Sequence, residues 1–229
     1  MRAMKTSSAI ALAIAFACLA RPGLADTPLP PGVQHVVDQR FPGWAVESST
    51  SGALHAPQAH DLALVLVRPG DPQTHAVAVL LDDARGGWRF SKSSSAIDVG
   101  ARGEALAAEI RARVLVVRAT EPGQSVARVT SYRFAYRDEG RVLRLVGLDI
   151  ERVAAADAAH AWRGLTSVDL LSGAKHEAMD DRTRGRVRHR EAESRVALRQ
   201  PILFEQFAFD TRGLQAEAAA RFEPAGGEH

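Results

Sequence analysis

The run Asp61 to Arg68 reads Asp-Leu-Ala-Leu-Val-Leu-Val-Arg, and it constrains the fold more than any other part of the chain. With the period of two that a strand imposes, Leu62, Leu64 and Leu66 fall on one face and Ala63, Val65 and Val67 on the other. Both faces are apolar, which predicts a central strand covered on each side. His75 to Leu81 repeats that character, and Pro69-Gly70-Asp71-Pro72 between the two is turn chemistry.

The neighbouring patterns extend a β reading in both directions. Val33, Val36, Val37 and Phe41 recur at helical spacing, and Pro42-Gly43 ends that short helix. Trp44 to Ser49 suits a strand. Trp88 and Phe90 alternate with Arg89 and Ser91 as in a half-buried strand. Leu106, Ile110 and Val114 have helical spacing in an Ala-rich stretch, whereas Val114 to Val117 is β-branched, so 98–113 is open between helix and strand. Tyr132, Phe134 and Tyr136, turned by Asp138-Glu139-Gly140 into Val142 to Ile150, give the clearest hairpin. Thr166 to Leu171 is a further strand closed by Ser172-Gly173. Pro201 to Phe209 regains apolar, aromatic character. Leu214, Ala218 and Phe222 predict a C-terminal helix stopped by Pro224. The fold class expected is mainly β (α+β): an antiparallel β-sheet core with a short N-terminal helix and a C-terminal helix. Residues 26–180 form the β-rich domain, and 181–229 a charged segment followed by a strand and terminal helix on that same domain.

Residues 1–25 have the form of a secretory signal peptide. Arg2 and Lys5 give the basic start, Ala9 to Ala20 is an unbroken apolar run, and Gly23 and Ala25 suit cleavage before Asp26. That run is shorter than the roughly 20 apolar residues a membrane-spanning helix requires. The expected location is therefore periplasmic or secreted, not membrane-spanning. Cys18 is the single cysteine, and Phe16 and Ala15 suit a lipoprotein motif poorly, so it is expected to leave with the signal. The whole chain of 229 residues has a net charge of +2. Arg2, Lys5 and Arg21 depart with the signal, leaving 26 basic residues against 27 acidic ones and a net charge of −1. A globally basic nucleic-acid-binding protein is not supported. At 46% apolar residues and 24% charged, the chain is too apolar for a disordered one, and with one cysteine it is no disulfide-stapled miniprotein.

Phe41-Pro42-Gly43-Trp44, Asp61 to Leu66, Gly87-Trp88-Arg89-Phe90, Tyr132 to Tyr136, Leu145 to Asp149 and Leu170 to Gly173 together resemble a group of uncharacterised exported proteins of Gram-negative bacteria. The resemblance spans most of 41–175 and implies no activity. Relatives in that group often carry a D-x-N-x-D-G loop of the FG-GAP or VCBS type before the first central strand, which implies Ca²⁺. Here the equivalent stretch, 52–61, keeps only Asp61 as a carboxylate ligand. The calcium loop is degenerate in this chain.

Candidate chemistry lies in three places. His55, His60 and Asp61, with His75 further on, are residue types that suit Zn²⁺ or Cu²⁺, but their spacing matches no metal signature. Asp149 and Glu151 stand two apart on a strand and share a face, as paired acid–base carboxylates would; Arg144 and Arg152 beside them point equally to surface ion pairs. Arg182, Arg184, Arg186, Arg188 and Arg190 occupy every even position of one segment. On a single strand they would present five guanidinium groups on one face, suited to phosphate or carboxylate. Asp180, Asp181, Glu191 and Glu193 around them suit an ordinary solvated surface. No nucleophile elbow, Walker loop, dinucleotide fingerprint or haem motif is present in the sequence. The expectation is an exported, non-enzymatic binding protein without cofactor. Its partner is expected to be an envelope or secreted protein, in an inhibitor or immunity-like role, or an anionic lipid or glycan, and not nucleic acid. The alternative is a hydrolase of cell-envelope material using Asp149, Glu151 or His160.

Overall fold

The structure, a computed structural model, describes residues 28–83, 85–99, 105–123, 126–137, 142–157, 160–183, 186–197 and 200–208. It is mainly β, with two antiparallel sheets and one short α-helix among those residues. The signal segment 1–25, the turn Asp138-Glu139-Gly140 and the C-terminal helix expected around Leu214 to Phe222 lie outside them. No described helix is long and apolar enough to cross a membrane.

The helix α1 (Val33–Arg40) is followed by β1 (Ala45–Gly52), β2 (Asp61–Arg68), β3 (Asp71–Asp82), β4 (Trp88–Ser93) and β5 (Ile97–Asp98). These strands form the first sheet in the order β1-β2-β3-β4, with β5 also paired to β3. A helix of eight residues is marginal alone and is held by what it buries. Val33 and Val37 are buried against Leu62, Leu64, Leu66, Ala76, Ala78 and Leu80, on one face of β2 and β3. Ala63, Val65, Val77 and Val79 on the other face enter the main core. The two-faced apolar run at 61–68 is thus accounted for: helix on one side, second sheet on the other. Each Val or Leu among these contributes about 1.5–3 kcal/mol on full burial.

The second sheet is a seven-stranded meander: β6 (Ala105–Arg111), β7 (Val114–Glu121), β8 (Val126–Arg137), β9 (Val142–Asp157), β10 (His160–Asp169), β11 (Ala174–Thr183) and β12 (Arg186–Arg195). Within the stretch left open between helix and strand, Ala105–Arg111 is strand β6. Leu106 and Ile110 are four apart, a spacing that keeps two residues on one face of a helix and of a strand alike. Both are buried, and pairing with β7 selects the strand. The sheets meet where β1 approaches β6. A Cβ at Gly52 would stand 2.8 Å from Ile110 Cβ, so this close approach requires glycine.

Residues 201–208 close the core without forming a strand of their own. Leu203 bridges Arg144, and Leu145 N donates to Ile202 O at 2.9 Å. The 3-10 turn Phe204–Gln206 that follows places Phe204 and Phe207, both fully buried, edge-on to Phe134, and Phe207 edge-on to Tyr132.

Candidate functional site

The apolar core covers only part of the inner face of the second sheet. Across that face, cross-strand pairing aligns residues in rows. One row runs Val117, Tyr132, Leu148, Val168, Lys175, Ser194. The next runs Ala119, Thr130, Ile150, Thr166, Glu177, Ala192; then come Glu121, Arg128, Arg152, Gly164, Met179, Arg190. Beyond them lie Val126, Ala154, Trp162, Asp181 and Arg188. Apolar residues make up most of the first row, and charged residues gather in the third, with Asp181 and Arg188 beyond it.

Several of these charges are buried. Glu177, Lys175 and Asp181 are at most 7% exposed, and Lys175 Nζ lies 3.5 Å from Glu177 Oε2. Arg128 Nη1 is 3.9 Å from Glu121 Oε2. Burial pushes the pKa of Arg152 down, the facing charge of Arg128 adds to that, and Glu177 opposes it. This charged layer is the feature that sequence reasoning missed. Its signal is Lys175-x-Glu177-x-Met179-x-Asp181, a strand alternation that reads as a solvent face because three of its four members are ionic.

The arginine segment is not one strand. It is shared between two antiparallel strands, so Arg182 stands in β11 opposite Val187, while Arg186 in β12 stands opposite Thr183. Arg182 is out of step with Arg188 and Arg190, which face Asp181 and Met179. The expected single five-arginine face is therefore replaced by a β12 series of Arg186, Arg188 and Arg190. The physical reason is that paired residues share a face and Thr183 pairs with Arg186, an odd separation, so the even positions of β12 share a face with the odd positions of β11. Arg188 is exposed and Arg190 half-buried. Arg184, and the side chains of Arg182 and Arg186, lie outside the described residues. On the other face, His189 bridges Asp180 at 2.6 Å and Glu191 at 2.8 Å, and these two carboxylates raise its pKa.

Asp149 and Glu151 do lie on one face, the outer one, but each engages a different arginine. Asp149 Oδ2 is 3.1 Å from Arg133 Nε, and its Oδ1 accepts from Ser167 Oγ at 2.5 Å. Glu151 Oε1 is 2.7 Å from Arg163 Nε. The partners are not Arg144 and Arg152, the neighbours in sequence. Arg152 follows Glu151 directly and so points to the opposite face. The side chain of His160 lies outside the described residues.

Asp61 is fully buried and works as a loop anchor. Its carboxylate accepts from Leu54 N at 2.9 Å, His55 N at 2.8 Å and Asp82 N at 3.2 Å, and its Oδ1 is 2.6 Å from His55 Nδ1. His60 is exposed, and His75 is engaged elsewhere, its Nε2 3.1 Å from Glu47 Oε2. Among the described residues no cluster of three or more His, Cys, Asp or Glu is grouped to hold a metal. Both oxygens of Asp61 are spent on the loop.

The aromatic residues serve the two cores. Tyr132 and Phe134 are buried between the sheets, and Trp44 and Trp88 pack on the helix side. Tyr136 donates or accepts one hydrogen bond with Ser91 Oγ at 2.6 Å, and burial raises its pKa. Comparison with family models, with curated proteins and with solved structures returned no match.

Proposed function

We propose that the protein is exported to the periplasm or beyond and there binds an acidic partner, in the first place an envelope protein, through strand β12. One observation carries this reading: β12 ends the seven-stranded sheet and has Arg186, Arg188 and Arg190 in alternation along its N-terminal half. Among the described residues only β11 pairs with it. An end strand offers unpaired backbone groups to an incoming segment. Its arginines resist addition of a second identical strand and favour one bearing carboxylates or phosphates. Export follows from the signal segment at 1–25. The paired carboxylates Asp149 and Glu151 give the hydrolase alternative no support, because each is held in its own ion pair.

The test is capture from a native envelope extract with the full chain as bait, beside an Arg184→Gln/Arg186→Gln/Arg188→Gln variant checked for folding by circular dichroism. The reading expects a discrete protein retained by the parent and lost by the variant. Equal retention by both contradicts it.

A further inference from the structure

Arg128 of β8 stands directly opposite Arg152 of β9 on the inner face of the seven-stranded sheet. Like charges placed so in a sheet repel and destabilise it. Two carboxylates lie near the pair. Glu121 lies 3.9 Å from Arg128, at the limit of an ion pair, and Glu177 beside Arg152 is shared with Lys175. Arg128 Nε and Thr130 Oγ1, the latter on a side chain 1% exposed, are among the polar atoms buried without a hydrogen bond to any described residue. Thr130 is two residues from Arg128 on the same strand and therefore on the same face. An unsatisfied buried donor is costly, so such atoms call for a partner.

Gly164 is the cross-strand neighbour of Arg152 and carries no side chain of its own. The ring of Trp162 lies alongside, its Cζ3 3.4 Å from where a Cβ on Gly164 would stand. The residues thus combine two guanidinium forks, a hydroxyl and an aromatic flank on the inner face of one sheet.

We propose that Arg128, Arg152 and Thr130 form a binding site for a phosphate group, with Trp162 flanking the organic part of the phosphoester. Two forked guanidinium groups and a hydroxyl supply more donors than the two oxygens of a carboxylate use, and they suit a tetrahedral oxyanion. Binding neutralises the opposed arginines and satisfies both orphaned atoms. The site shares no residue with the β12 surface proposed above and stands or falls separately from it.

The test is calorimetric titration and thermal denaturation of the protein, purified after expression of the full chain, in low-salt buffer. The probes are glycerol 3-phosphate, dihexanoylphosphatidylglycerol and acetate. Binding of a phosphate probe with a raised Tm is expected. Response to glycerol 3-phosphate identifies a soluble ester as the source, and response to the short-chain lipid alone identifies a headgroup. Arg152→Met and Arg128→Met are each expected to weaken binding by about tenfold or more, and Thr130→Val by a smaller factor. Without ligand, Arg152→Met is expected to melt at or above the parent's Tm, because it removes the repulsion; a purely structural arginine would lower it. No response to either phosphate probe, unchanged affinity in both arginine variants, or acetate bound as tightly as phosphate would each overturn the proposal. If Arg152→Met does not fold, the Arg128→Met titration decides alone.

Discussion

At the residue scale, two ionic contacts carry distinct consequences. His75 is nearly buried, and its hydrogen bond with Glu47 raises its pKa above the ordinary value of 6.5, more than burial lowers it. The folded pKa therefore exceeds the unfolded one. The contribution of the pair is complete below about pH 6.5 and is lost as pH rises through the raised folded value. Thermal denaturation across that window is expected to show Tm falling with rising pH, and Glu47→Gln is expected to flatten the slope. Asp61 is the second case. Its replacement by Ala leaves three backbone N–H groups without their acceptor. At about 1–1.5 kcal/mol for each, urea denaturation is expected to show a loss of about 3–4 kcal/mol. A metal ligand in the same position would instead show chelator-sensitive stability. The sequence marks Asp61 as special, but its role is not legible there: a carboxylate that caps its own loop and one that binds an ion look alike until the N–H groups around it are placed.

At the element scale, the β6–β7 hairpin stores strain that is open to correction. Its two-residue turn is Ala112-Arg113, with φ of 47° and 64°. Both residues sit in the left-handed region, which costs a residue with a Cβ about 1–2 kcal/mol and where Asn-Gly is favoured in a tight hairpin. Arg113→Gly gives up one exposed hydrogen bond from Arg113 Nη2 to His55 O at 3.2 Å, worth about 0.5–1.5 kcal/mol. Relief of strain is comparable or larger, so the Ala112→Asn/Arg113→Gly pair is expected to be the more stable by about 1 kcal/mol. Differential scanning calorimetry reads this directly. The missing turn signature is also why the hairpin was hard to read: without Gly, Asn or Asp between Arg111 and Val114, the Ala-rich spacing of β6 imitates a helix. Strands with turn residues at their ends, such as β2 and β3 around Pro69-Gly70, were legible at once.

At the scale of the whole molecule, a helix layer and two sheets leave a distinction between the two halves of the larger sheet. The apolar half meets the first sheet and the phenylalanines of the 3-10 turn, and the two-faced run at 61–68 forecast that layering. The other half carries the charged rows, to which the end strand β12 contributes Arg188 and Arg190. That division was not legible, because it depends on register: the same Lys-x-Glu-x-Met-x-Asp alternation is a solvent face or an inner face according to which strand pairs with it. The arginine segment is legible as a composition and not as a geometry, since the pairing of Thr183 with Arg186 puts Arg182 out of line with Arg188. The central functional claim is that acidic groups of a partner meet the arginines of β12. Its most direct measurement is the dissociation constant of the captured complex against sodium chloride concentration, for the parent and the triple Arg→Gln variant. Screening of exposed charges predicts affinity that falls steeply with salt in the parent, and a weaker, flatter dependence in the variant. Identical affinities and identical salt slopes for the two proteins would contradict the claim.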